Sequence, residues 1–184
     1  MNPPTPIYDE CSAWLQQLVG SPLYRFDDLP GFRYSLKRDA VGAYAIWFRS
    51  EKWKNWLCLK VGKAQRKAKS LSSRLYDHWH SRELPNPNML VAHLMADSEL
   101  ALLSREDLSV QGARRRILER WCRFQAVEVR EGITPRDLAI LECRLAAELE
   151  PRYIERCSGY PTLREPGSES VQPTGKDVRR KKEG

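Results

Sequence analysis

No stretch of this chain approaches the roughly 20 consecutive apolar residues that cross a bilayer, so a membrane-spanning helix is not expected. No CxxC pair occurs either. The five cysteines, Cys11, Cys58, Cys122, Cys143 and Cys157, are odd in number and scattered. That distribution argues against a disulfide framework or a zinc knuckle, and for free thiols in a reducing compartment. The N-terminal MNPPTPIYDE has neither the basic n-region nor the apolar h-region of a secretory leader. Internal repeats are absent as well. The expectation is a soluble, intracellular, cytoplasmic protein with no membrane partner.

What the chain does contain is apolar bulk and positive charge. Its 184 residues are 41% hydrophobic and include six Trp, enough for one domain with a real core. The formal net charge is +7 and the pI about 9.3, a balance that favours a polyanionic partner, most often nucleic acid. A basic but otherwise ordinary surface is the plainer alternative. The tail 176–184 (KDVRRKKEG) holds five cations and two acids, so part of the excess belongs to the folded portion.

Along the chain, Ile7, Cys11, Trp14, Leu15 and Leu18 recur at helical spacing, and Gly20 and Pro22 stop that helix. Residues 21–40 read as a loop with one short strand at the Phe32/Tyr34 alternation, and Pro30-Gly31 as a turn. Residues 43–49 (AYAIWFR) form an apolar, β-prone run, and Trp56–Val61 a second strand stopped by Gly62. The charged turn between them makes an antiparallel hairpin. Ser70 caps a helix through about His80, with Leu71, Leu75 and Trp79 as its core stripe. The segment 89–95 is strand or helix. A helix over 97–121 exposes Arg114, Arg115 and Arg116, and Phe124–Val129 is a third strand. Thr134 caps a helix over 135–150 that Pro151 ends. One domain is expected over 1–164, with a core at about 40–155, a helical insertion at about 89–121, and a disordered basic tail over 165–184.

Chemistry concentrates between Gly42 and His78. Arg74 and His78, four apart, lie along one edge of their helix's stripe, where two side chains reach one ligand. Lys63, Arg66, Lys67 and Lys69 place four cations in seven residues, a candidate nucleic-acid-binding cluster or a solvated loop. Glu142 is the anomaly downstream. Its helical neighbours Leu138, Ala139, Leu145 and Ala146 are apolar, so its carboxylate needs a cation, a metal or a donor cluster. The alternatives are a structural salt bridge to an arginine or a surface edge. Tyr44 as a plain strand tyrosine and His78 as a helix-surface histidine also stay open. His80 and His93, without Cys or His at ligand spacing, read as structural.

In order, GAY at 42–44, KVGKA at 60–64, Arg74 with His78, and Glu142 with Pro151 nine later form a series that resembles the GIY-YIG endonuclease family over roughly 40–155. The resemblance implies an α/β (α+β) fold, a small three-stranded antiparallel sheet flanked by helices, here with a helical N-terminal extension and a helical insertion. It also implies hydrolysis of DNA phosphodiester bonds with one divalent cation, Mg²⁺ or Mn²⁺. By the same resemblance Tyr44 matches the tyrosine that activates water, and Lys60 stands where the second motif has its tyrosine. Arg74 matches the arginine that neutralises the scissile phosphate, His78 the group that bonds or relays the tyrosine proton, and Glu142 the metal ligand. Ala43 replaces the motif's isoleucine, and Ile154 stands where many members have asparagine.

The chemistry is coherent on its own terms. Phosphodiester hydrolysis needs an activated water, neutralised phosphoryl oxygens and a stabilised leaving oxygen. A tyrosine with a free pKa of about 10 is a poor base unless a nearby cation favours its phenolate. Cutting both strands of double-stranded DNA would call for a homodimer. The rival readings are a nucleic-acid-binding module that keeps the fold without catalysis, favoured by Lys60 and Ile154, and a protein–protein adaptor that works through its basic tail. Cysteine nucleophile chemistry lacks any activating neighbour in the sequence.

Overall fold

The computed structural model describes residues 7–35, 40–50, 55–65, 70–79, 90, 97, 113–129, 131–153 and 172–177. Four strands, β1 (Tyr24–Arg25), β2 (Gly42–Phe48), β3 (Leu57–Ala64) and β4 (Cys122–Glu128), form one antiparallel sheet in the order β1-β4-β2-β3. Five α-helices accompany it among the described residues: α1 (Ile7–Gly20), α2 (Leu29–Ser35), α3 (Leu71–Trp79), α4 (Ala113–Trp121) and α5 (Pro135–Leu149). None is long and apolar enough to cross a membrane.

The mixed α/β class holds, but the sheet has four strands where three were expected. The added strand is the two-residue β1, which pairs Tyr24 with Phe124 and Arg25 with Arg123. Phe32 and Tyr34, expected in a strand, lie in α2 instead. Pro30 sits in the first turn of α2, where its fixed φ suits the helix and its missing N–H costs nothing. The Pro-Gly pair therefore begins a helix rather than making a turn.

β2 is the axis of the molecule, and all seven of its residues are buried. Tyr44, Ile46 and Phe48 point into one core with Leu59, Leu71, Leu75 and Phe124. Ala43, Ala45 and Trp47 point into the other with Trp14, Leu18, Val61, Leu141 and Leu145. A strand with helices on both faces needs apolar residues at every position, which is why 43–48 reads as an unbroken hydrophobic run.

Helix α3 packs on the first face and is tied to the lead-in of β2 by Leu71 N–H donating to the Ala40 carbonyl at 2.9 Å. Helices α1 and α5 share the second face. The stripe Leu138, Leu141, Leu145 and Leu149 of α5 is buried as its spacing required. Thr134 caps α5, its Oγ1 accepting the Asp137 N–H at 3.1 Å, and Pro135 follows it. At the other end Glu150 takes a left-handed conformation, φ 44°, before Pro151.

β3 is an edge strand, and it runs on through Gly62 to Ala64 rather than stopping at the glycine. A register shift opposite Ile46 and Trp47 leaves Leu59 as the extra residue. At that point Arg152 N–H donates to the Cys58 carbonyl and Tyr153 N–H to the Leu59 carbonyl, both at 2.9 Å. The chain leaving α5 thus covers one end of the exposed edge. Arg152 and the Tyr153 hydroxyl both donate to Asp97, which anchors the insertion there. Leu90 is helical and buried, while the rest of segment 89–95 and most of the expected helix 97–121 lie outside the described residues.

Within the tail expected to be disordered, residues 172–177 are packed against the sheet. Leu23 N–H donates to the Lys176 carbonyl at 3.0 Å, and Thr174 and Gly175 N–H both donate to the Val19 carbonyl. Arg123 pairs with Asp177 at 2.9 Å. The buried Gln125 side-chain amide donates to the Val19 and Ser21 carbonyls beside this strap. A side chain at Gly175 would overlap the Ser21 carbonyl, so only glycine passes there. Residues 178–184 lie outside the described part.

Candidate active site

Tyr44 sits within β2 and His78 in the last turn of α3, 34 positions apart in the sequence. Their side chains meet in the first core. The Tyr44 hydroxyl and His78 Nε2 are 2.7 Å apart and the two rings pack edge to face, with centroids 5.4 Å apart. Both are almost fully buried, at 3% and 5% exposure. Burial of a phenol and an imidazole requires polar partners, and here each supplies the other.

Gly62 makes this pairing possible. It stands directly across from Tyr44 in the β2–β3 register, and the tyrosine ring lies over its Cα. A Cβ at position 62 would overlap the Tyr44 hydroxyl and ring carbon. The glycine that looked like a strand stop is therefore the bed of the tyrosine. Lys60 lies two residues back on the same strand, opposite Ile46, and is buried at 5% exposure. Side chains two apart on a strand share a face, which puts this cation beside the Tyr44–Gly62 pair.

Arg74 lies one turn before His78 on α3, but its side chain is exposed while His78 turns inward. The two do not converge on a single buried point. Arg74 faces solvent at the start of the helix, and His78 holds the strand tyrosine.

Glu142 belongs to the opposite face. It projects from α5 and meets Lys63 of β3, Nζ to Oε2, at 3.0 Å. Lys63 pairs with Ala43 in the register, so its parity carries it toward α5 rather than α3. Each side chain retains about a quarter of its exposure, at 25% and 22%. The salt bridge anticipated for Glu142 is present, but its partner is a lysine from the basic cluster, not an arginine. Of the other members of that cluster, Arg66, Lys67 and Lys69 lie outside the described residues, as do His80, His93 and Ile154.

The carboxylate can be tested against the divalent cation that the family resemblance implies. Among the described residues no group of three or more His, Cys, Asp or Glu gathers to hold a metal. That excludes a protein cage of the zinc type within this part of the chain. A single half-buried carboxylate is compatible with Mg²⁺, which keeps several waters and takes one or two carboxylates together with substrate phosphates. Glu142 fits that limited role, with the Lys63 ammonium competing for one of its oxygens.

Two residues take places that their sequence readings did not give them. Gly62, read as a strand stop, beds the tyrosine, and Lys63, read as part of a nucleic-acid-binding cluster, pairs with Glu142. The buried thiols of Cys58 and Cys122 are pushed well above the ordinary thiol range by desolvation, and Cys11 is raised for the same reason. None is a nucleophile of low pKa, and the four described cysteines are free.

No family model matches the chain, no curated protein matches it, and no solved structure matches it.

Proposed function

We propose that this protein is a metal-dependent endonuclease that hydrolyses DNA phosphodiester bonds, built as a divergent member of the GIY-YIG family. The observation that carries the reading is the 2.7 Å contact between Tyr44 and His78. Two residues singled out by order and spacing, from a strand and a helix, meet as a buried hydrogen-bonded pair. In this reading His78 Nε2 accepts the phenolic proton and so raises the nucleophilic character available at Tyr44 for activating water. Lys60, on the same sheet face, favours the phenolate. Arg74, exposed on the same helix as His78, takes the scissile phosphate with its planar fork. Glu142 would hold the divalent cation, which supplies Lewis-acid stabilisation of the phosphoryl and leaving oxygens. With one such site per chain, a double-strand cut uses two copies on the DNA, so a molecular weight measured by light scattering with bound duplex would be that of a dimer.

A second reading has its own observation. The Lys63–Glu142 salt bridge already supplies Glu142 with a counter-charge, as a binding module that retains the fold without catalysis would have. Purified protein incubated with plasmid and genomic DNA, with Mg²⁺ or Mn²⁺ and with chelator, separates the two. Cutting that needs metal and disappears in Glu142→Ala supports the nuclease. Salt-dependent binding without cutting in either protein supports the module.

A further inference from the structure

Helix α4 belongs to the insertion and has no counterpart in the motif series. Its nine residues, ARRRILERW, carry four arginines and one glutamate. The side chains of Arg115, Arg116 and Arg120 are exposed. Arg115 lies 4.4 Å over the Trp79 ring, and its Nε donates to Glu119 Oε1 at 2.6 Å. The same glutamate oxygen accepts the Trp79 indole N–H at 2.9 Å. Arg120 lies 4.7 Å over the Trp121 ring.

These contacts do two things. They fasten α4 to the C-terminal end of α3, since Trp79 is the residue after His78. They also hold two guanidinium groups over indole rings. A stacked guanidinium keeps its fork of donors oriented and loses little freedom when it meets an oxyanion. Arg116 and Arg120 are i and i+4, so they stand side by side on the helix, a spacing at which like charges oppose the helix. Glu119 lies between them and is shared by Arg115 and Trp79. Arg74 is exposed on α3, the helix to which α4 is tied.

We infer that the arginine face of α4, made by Arg115, Arg116 and Arg120, is a nucleic-acid backbone-binding surface that takes phosphates flanking the one cleaved. This rests on the nuclease reading of the Tyr44–His78 site and extends it to residues outside the motif series. Planar guanidinium groups match phosphate oxygens in pairs, and the surface is joined to the helix whose arginine is read as the phosphate ligand. Guanidinium groups pair with carboxylates as well, so it is the second fact that favours a nucleic acid over an acidic protein segment.

The test is fluorescence anisotropy of the full chain with a short labelled duplex, between about 50 and 200 mM salt. The wild type is compared with Arg116→Gln/Arg120→Gln and with Arg116→Lys/Arg120→Lys. Each lost phosphate contact flattens the slope of log affinity against log salt by about 0.9, so the glutamine pair should flatten it by about 1.8 while the lysine pair keeps most of it. Unchanged affinity and slope in the glutamine pair, with duplex bound by the wild type, would overturn the assignment and leave the nuclease reading standing. No duplex binding by the wild type at any salt would remove the nuclease reading and this surface with it. A polyglutamate peptide bound in place of duplex, and lost in the glutamine pair, would reassign the face to an acidic protein partner and overturn the inference.

Discussion

The two faces of the sheet hold polar pairs of opposite character. On the α3 face, Tyr44 and His78 are sealed into an aromatic and aliphatic core and joined by a single short hydrogen bond. On the α5 face, Lys63 and Glu142 form an ion pair in partial contact with water. The first pair is expensive to disturb, because removing either partner takes a short hydrogen bond from a buried polar group. The second is inexpensive, because partly exposed ion pairs contribute roughly 0–1 kcal/mol. A structural role accounts for the first pair only in part, since a Phe–Leu contact would fill the same space. For the second pair, stability is a weak explanation altogether. The β3 edge strand separates the two and carries residues of both: Lys60 and Gly62 toward α3, Lys63 toward α5.

Substitutions break this comparison in graded ways. Tyr44→Phe removes the hydroxyl and keeps the ring, and cleavage should fall by about 10²–10⁴-fold, the scale of a lost acid–base group. Its unfolding free energy should fall by only about 0.5–1.5 kcal/mol, the net contribution of one hydrogen bond. Steady-state cleavage assays and urea titrations measure both. Glu142→Gln should lose on the order of 10³-fold of metal-dependent cleavage, several kcal/mol of charge stabilisation, with a denaturant midpoint close to that of the wild type. A large stability loss in Glu142→Gln would mean the ion pair is structural.

Gly62→Ala probes the boundary between the faces. The added methyl must displace the Tyr44 ring, and overpacking of this kind costs about 1–3 kcal/mol. The expected result is lower thermal stability together with impaired cleavage, and retention of both would contradict the close packing at Gly62.

Three buried thiols lie in the two cores, Cys122 on the α3 side and Cys11 and Cys58 on the α5 side, and Cys58 and Cys122 are the most strongly desolvated. Burial raises both well above the ordinary thiol range, so both stay neutral in the fold while an unfolded thiol ionises near pH 8.5. Their contribution to stability is therefore complete below about pH 8.5 and declines as pH rises past it, by up to about 1.4 kcal/mol per pH unit for each thiol. Unfolding titrations between about pH 8 and 9 stay below the range in which an unfolded tyrosine, with a pKa of about 10, ionises appreciably. Cys58→Ala and Cys122→Ala should each reduce the slope, and Cys11, also raised by burial, carries part of the remainder. The smallest expected effect is that of Lys63→Met. It should cost less than about 1 kcal/mol of stability and raise the affinity of DNA-free protein for Mn²⁺ in calorimetry, because the competing ammonium is gone. Unchanged Mn²⁺ affinity would end the idea of competition at Glu142.

What the sequence made legible follows the range of the interactions involved. The run Ala43–Phe48, the stripe of α5 and the Thr134 cap are local patterns, and each lies where its pattern put it. The anomaly of Glu142 was also local, and the structure gives it a cation. The two-residue β1 was illegible because only its pairing with β4 makes it a strand. The α2 helix was hidden by a Pro-Gly pair whose proline falls at a helix start. The strap 172–177 has the composition of a disordered tail and is held by backbone bonds to Val19 and Leu23 that no local pattern encodes. The placement of Tyr44 and Lys63 on opposite faces depends on strand parity, which in turn depends on a bulge opposite Ile46 and Trp47. A one-residue change of register moves every side chain to the other face, and nothing in the residues themselves announces it.

The central claim is that residues from both faces act as one metal-dependent site around the β3 edge. A double-mutant cycle on DNA cleavage with Tyr44→Phe, Glu142→Gln and the combined variant tests it most directly. Groups that act as a unit are strongly non-additive, so the double variant should be no slower than the slower single one. Losses that multiply would mean two independent contributions, and wild-type protein that cuts no DNA with Mg²⁺ or Mn²⁺ would contradict the account outright.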